Sequence, residues 1–178
     1  MTFPFFKLPA ELRIMILEYV AFQQPVLHTH CLRDRPVVPR LAHVSRQFRD
    51  ECLKAFYSCH IFEINLHCYS AITQATQWAD QLDDKYIQCI RELRFTGRLA
   101  QAENDFFGIH ITFKNDPPWF NVYSIYGEPD SSTAQGRETS RIRYNVRRWL
   151  NDLLRQQGIT HLDAQHIKWL AAHIDRMP

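Results

Sequence analysis

Glycine is scarce in this chain. There are five in 178 residues (Gly97, Gly108, Gly127, Gly136 and Gly158), and none lie close enough together to make a dinucleotide or phosphate-binding loop. That argues against nucleotide-fold enzymes. Charge of one sign is not in excess either: 21 Lys and Arg stand against 19 Asp and Glu, so a formal charge of +2 exerts no global pull toward nucleic acid, anionic lipid or acidic substrates. No stretch approaches the ~20 consecutive apolar residues that span a bilayer. The opening MTFPFFKLPAELR has only a short apolar piece, broken by Pro4 and Lys7, with no small-residue cleavage pattern after it, so no signal peptide is expected. The sequence also has no G-x-S-x-G elbow, no H-E-x-x-H and no pair of C-x-x-C knuckles. The common catalytic signatures are missing, and the expectation is a protein that is not an enzyme and holds no cofactor.

The five cysteines (Cys31, Cys52, Cys59, Cys68 and Cys89) are an odd number without a repeated spacing, in a chain long enough not to need disulfide staples. A reduced, intracellular setting, cytoplasmic or nuclear, is the expectation. What the chain does have is apolar bulk: hydrophobic residues make up 46%, including 12 Phe, 7 Tyr and 4 Trp, enough to build a packed core and to exclude wholesale disorder.

The first helix is expected from Pro9, whose fixed φ suits the first helical position, to about Ala21, with Glu11 near the positive end of its dipole. At 100° per residue, Leu8, Leu12, Ile16, Tyr19 and Val20 fall on one side, and Ala10, Ile14, Leu17 and Ala21 on nearly the opposite one. Only Glu11, Glu18 and Arg13 interrupt the apolar surface. Such a helix either sits inside its own core, covered on both sides, or buries its second side against a partner.

Residues 22–40, with Pro25, Pro36 and Pro39, read as a connection that includes a short extended piece around Val26 and Leu27. From Leu41 to Tyr57, Leu41, Val44, Phe48, Cys52, Ala55 and Phe56 make an apolar stripe opposite His43, Arg46, Gln47, Asp50 and Lys54. Phe62, Ile64 and Leu66 alternate with Glu63 and Asn65 as a half-buried strand, and a helix follows from about Ala71 to Leu82. Ile90 to Phe95 reads as a strand. So does the alternation of Phe107, Ile109, Ile111 and Phe113, which pairs with Val122 to Tyr126 across the turn signal Asn115-Asp116-Pro117-Pro118, giving a hairpin over 106–126. Residues 127–136 read as a loop. Two helices close the chain, about Glu138 to Gln156 and Asp163 to Ile174, with Gly158 as the stop between them. The expected fold class is α+β: N-terminal helices packed with a small antiparallel sheet and two C-terminal helices. The first segment covers residues 1–66 and the remainder 67–178, together one compact domain.

The spacing Leu8-Pro9-x-Glu11-Leu12-x-x-x-Ile16-Leu17-x-Tyr19 resembles the opening of an F-box. His43-Val44-Ser45-Arg46-Gln47-Phe48-Arg49 resembles its closing helix. Continuing through Phe56-Tyr57 and Phe62-Glu63-Ile64, the chain is similar to the fungal F-box-like proteins, including the two-EXR domain group, which carries a Glu-x-Arg in each helix. Here the first reads Glu11-Leu12-Arg13 and the second departs from the pattern as Gln47-Phe48-Arg49. The resemblance implies a substrate receptor. Its F-box docks on the Skp adaptor of a cullin-RING ubiquitin ligase, here through Leu8, Pro9, Leu12, Ile16, Tyr19 and Val20, and the rest of the domain holds an unknown protein to be ubiquitinated.

Two further groups have site-like chemistry. His28-x-His30-Cys31, with Cys59-His60 and His67-Cys68, has zinc-ligand atom types, but the spacing matches no structural zinc pattern, and scattered histidines and free cysteines are the better explanation. Residues 137–155 hold six arginines against Glu138 and Asp152, a balance of +4 that leaves −2 for the rest of the chain. Arg137, Arg141, Arg148 and Arg155 share one face, opposite Ile142, Val146, Trp149, Leu150 and Leu153. That face is either simply solvated or recognises an acidic protein surface; nucleic acid is the less favoured partner given the near-zero net charge.

Overall fold

The computed structural model describes residues 5–21, 26–28, 40–43, 45–67, 69–98, 106–114, 120–125, 132–157 and 161–174. Among these, helices α1 (Ala10–Ala21), α2 (Arg46–Cys59), α3 (Tyr69–Gln81), α4 (Asp84–Ile87), α5 (Ala134–Gln157) and α6 (Ala164–His173) surround strands β1 (Val26–His28), β2 (Ile61–Asn65), β3 (Glu92–Arg98), β4 (Phe106–Phe113) and β5 (Phe120–Ser124). Short 3₁₀ turns at Phe5–Lys7 and Arg40–His43 precede α1 and α2. The class is α+β.

The strands form one sheet in sequence order, β1 to β5. The hairpin expected over 106–126 is its antiparallel half, β4 with β5, and β3 is antiparallel to β4. The sheet is nevertheless mixed rather than wholly antiparallel, because β1, β2 and β3 run parallel. The helices between them make this possible: parallel neighbours need a crossover connection, and α2 lies between β1 and β2 while α3 and α4 lie between β2 and β3. The pairing of β2 with β3 carries the sheet across residues 66 and 67, so the first segment and the remainder share one sheet.

The register explains where the core sits. Leu27, Phe62, Leu93, Ile111 and Val122 form one row across all five strands, and Ile64, Phe95 and Ile109 a second. The central members of both rows are fully buried. Helices cover that face. Tyr57 of α2 and Trp78 of α3 stack on the Phe62 ring at 5.4 and 5.3 Å, α5 lies over β4 and β5 with Ile142, Val146 and Leu150 turned inward, and α6 packs on α3. The other face carries the alternate residues, including the cross-strand row Glu63, Arg94, His110 and Tyr123.

Strands β3 and β5 are offset by about two residues from the expected Ile90–Phe95 and Val122–Tyr126, and two helix starts and one added helix differ from the sequence reading, each for a local reason. The Ser45 hydroxyl accepts the Phe48 N–H, so the α-helix starts after Ser45 and the residues from Arg40 to His43 tighten into a 3₁₀ turn. Thr133 acts likewise, its hydroxyl accepting from the Gly136 N–H and its carbonyl from Arg137, which starts α5 within the expected loop. Asp83 accepts from the Lys85 N–H and founds α4, a helix too short to show a hydrophobic period. By contrast α6 starts where its signal stands, with Asp163 accepting the His166 N–H in a capping box. The expected turn at 115–118, the Pro36 and Pro39 connection, residues 127–131 and the Gly158 stop lie outside the described residues.

Candidate functional site

Among the described elements, the main neighbour of the first helix is α2, met along a narrow edge. Arg13 and Leu17, four residues apart and therefore one above the other, are buried along that edge, at 9% and 3% exposure. The Arg13 guanidinium reaches the Glu51 carboxylate of α2 by Nε and Nη2, at 2.8 and 2.6 Å, and donates from Nη1 to the Leu8 carbonyl at 2.6 Å. That hydrogen bond and charge hold the Glu51 carboxyl below its ordinary range. In front of the helix, Phe5 and Phe6 stand edge-on to Phe48 of α2, at 5.1 and 6.1 Å between ring centroids. Both ends of the helix entry are thus pinned to α2.

The other large apolar residues of α1 between Leu12 and Val20 face solvent. Leu12, Ile16 and Val20 are 41% to 45% exposed, Met15 62% and Tyr19 81%. Of the six residues singled out from sequence, Pro9, Leu12, Ile16, Tyr19 and Val20 are exposed and Leu8 is half-buried, its carbonyl held by Arg13. Among the described residues, the helix is not enclosed on both sides by the hairpin and the C-terminal helices. One expectation for the opposite side needs correction. Ile14 was expected to face the body with Leu17, but it is 40% exposed, because the Arg13 to Leu17 edge is too narrow to cover the residue beside it.

The arginine face of α5 is partly spent on the helix itself. Arg141 pairs with Glu138 one turn away, at 3.0 and 2.6 Å, holding that carboxyl low, and Arg137 donates to the Ser132 carbonyl. Arg148 and Arg155 are exposed, as is Arg147 between them and Tyr144. The opposite side is the buried one, with Ile142, Val146 and Leu150 in the core.

The metal-like cluster is not assembled among the described residues, where no group of three or more His, Cys, Asp or Glu is placed to hold an ion. His30, Cys31 and Cys68 lie outside them. His60 is buried with Nδ1 at 2.7 Å from the Phe56 carbonyl, and Cys59 donates to the Ala55 carbonyl. Burial raises the Cys52 and Cys59 thiols, so both are poor thiolates.

Two features are new to the structure. On the outer sheet face, His110 Nε2 lies 2.8 Å from Glu92, two residues along β3 from its direct partner Arg94. Burial dominates over the carboxylate and lowers the His110 pKa, so at neutral pH this is a neutral imidazole hydrogen-bonded to a carboxylate. The second is a cleft of about 520 Å³ between α3, α5 and α6, walled by Trp149 and Trp169 stacked at 4.7 Å, with His173 stacked on Trp169 in turn. Sequence reasoning singled out neither: His110 lies between the alternating Phe107, Ile109, Ile111 and Phe113 without a mark of its own, and no local signal joins Trp149 to a helix that begins fifteen residues later, at Ala164. Compared with known proteins, the chain matches no family model, no curated protein and no solved structure.

Proposed function

We propose that α1 is a docking helix for an adaptor of the Skp type and that the protein acts as a substrate receptor for a cullin-RING ubiquitin ligase, binding rather than catalysing. One observation carries the reading: Leu12, Met15, Ile16, Tyr19 and Val20 lie exposed on a helix whose other edge is locked to α2 by Arg13 and Leu17. Exposed apolar residues grouped in this way on a fixed helix mark an interaction site rather than a chance surface. Completing the burial of each half-exposed aliphatic side chain contributes about 1 kcal/mol. Tyr19, with its ring and hydroxyl both accessible, has the make-up of an interface anchor. The resemblance of Leu8-Pro9-x-Glu11-Leu12 and Ile16-Leu17-x-Tyr19 to an F-box opening names the adaptor class, and the role implies residence where that ligase works, in the cytoplasm or nucleus. Co-purification tests it. Wild-type protein should retain a Skp-type adaptor and Tyr19→Ala should lose most of it while melting at the same temperature. Failure of the wild-type chain to retain the adaptor contradicts the reading.

A further inference from the structure

We infer that the outer face of α5, formed by Tyr144, Arg147, Arg148 and Arg155, is a second interaction surface that binds an acidic segment of another protein. It does not rest on the docking role of α1. The four side chains are exposed, and Arg147, Arg148 and Arg155 make no hydrogen bond or ion pair with a described residue. This is not because a carboxylate is out of reach. Asp152 stands one turn from both Arg148 and Arg155, the spacing at which Glu138 captures Arg141 and Asp50 captures Lys54 elsewhere in the molecule, yet it pairs with neither. The inner side of α5 is anchored in the core by Ile142, Val146 and Leu150, so the guanidinium groups are displayed from a rigid helix. At 1.5 Å per residue, Tyr144 to Arg155 spans about 16 Å.

Charge and geometry select the partner. The helix segment from Arg137 to Arg155 carries +4 while the rest of the chain carries −2, so an anionic ligand is attracted to this face and repelled from the remainder. Guanidinium forks match carboxylates two-pronged, and the Tyr144 ring gives the stem of a glutamate a surface to lie on. Nucleic acid fits less well. Three free arginines within about 12 Å of helix, beside Asp152, meet few phosphates of a backbone that needs many contacts for tight binding.

The test is a fluorescence-anisotropy titration of the full chain with a short fluorescein-labelled polyglutamate peptide at low salt. Saturable binding is expected, weakening as salt rises, and weakened at least about tenfold by Arg148→Glu with Arg155→Glu. Arg46→Glu with Lys114→Glu, the same change of charge at exposed positions elsewhere, should bind nearly as the wild type. Should the reversal variant melt well below the wild type, Arg148→Gln with Arg155→Gln supplies the same readout. The proposal is overturned if the peptide does not bind, if the two charge-reversal pairs lose binding equally, or if single-stranded DNA competes more strongly than unlabelled polyglutamate.

Discussion

Arg13 grips Glu51 at two points, with Nε and Nη2 at 2.8 and 2.6 Å from its two carboxylate oxygens, and turns its remaining nitrogen to the Leu8 carbonyl. Arg49, the matching residue of the second motif, donates to the Ala42 carbonyl at 2.9 Å. Both arginines of the Glu-x-Arg-like motifs are therefore internal fasteners: Arg13 fixes how α1 is rolled on α2, and Arg49 ties α2 to the 3₁₀ turn before it. With Arg13 and Leu17 turned in, Leu12, Ile16 and Tyr19 are turned out. The Gln at 47 follows from the same clamp. Its amide donates to Glu51 at 3.4 Å, where a glutamate would set a second carboxylate against the first.

Gln47→Glu should therefore destabilise the protein by about 0.5 kcal/mol at neutral pH, the size of a like-charge pair on an exposed helix surface. The loss should vanish once the carboxylates are protonated. Urea melts at neutral and acidic pH would show it; an equal loss at both would mean that repulsion from Glu51 is not the cause.

Breaking the clamp from the other side should act on the helix before the fold. Arg13→Met keeps the stem but leaves the half-buried Glu51 charge without its counter-ion, held only by the Gln47 amide, so amide hydrogens of α1 should exchange much faster while those of β3 and β4 keep their protection. The Glu51 pKa is lowered in the folded state, so the clamp's contribution is present above the ordinary carboxylate range, about 4, and is lost as pH falls through the lower folded value.

Gly97 faces the core row that includes Phe107, and a Cβ placed there would stand 2.5 and 2.7 Å from two atoms of that buried ring. Gly97→Ala must displace Phe107, which has no exposure, and should cost about 1 to 3 kcal/mol as overpacking. A thermal melt unchanged within error would show that the ring can shift freely.

How much of this was legible beforehand depended on the range over which each signal acts. The alternation of Phe107, Ile109 and Ile111 and the Ile142, Val146 and Leu150 stripe are local, and each marked its element correctly. The parallel half of the sheet was not legible, because β1 is three residues long and its pairing with Ile61, Phe62 and Glu63 is made across more than thirty intervening residues. In α1 the residue types were informative and the direction was not. A helix apolar on two sides does not announce which edge meets the body, and Arg13, which looked like an interruption, is what chose it. The outer side of α5 was legible as a stripe, but the capture of Arg141 by Glu138 required the rotamers.

Acidification should weaken the protein before any carboxylate titrates. The pKa values of His110 and His67 are both lowered, with burial the largest cause, so the unfolded chain takes up protons that the folded one does not. Stability is then complete above the ordinary histidine value and falls as pH drops below about 6.5. His110→Asn should flatten that slope between about pH 7 and 5 in chemical denaturation. A slope of the opposite sign would mean that Glu92 overrides burial.

The docking role of α1 is tested most directly by calorimetric titration of a Skp-type adaptor into wild-type protein, Leu12→Ala with Ile16→Ala, and Leu17→Ala, each with its melting curve. The double variant should fold within about 1 kcal/mol of wild type, since both positions are exposed, and bind the adaptor at least about tenfold more weakly. Leu17→Ala, which empties a buried site, should cost about 2 to 5 kcal/mol of stability and affect binding only through folding. No heat of binding with the wild-type chain, or equal affinity for the double variant, would contradict the account.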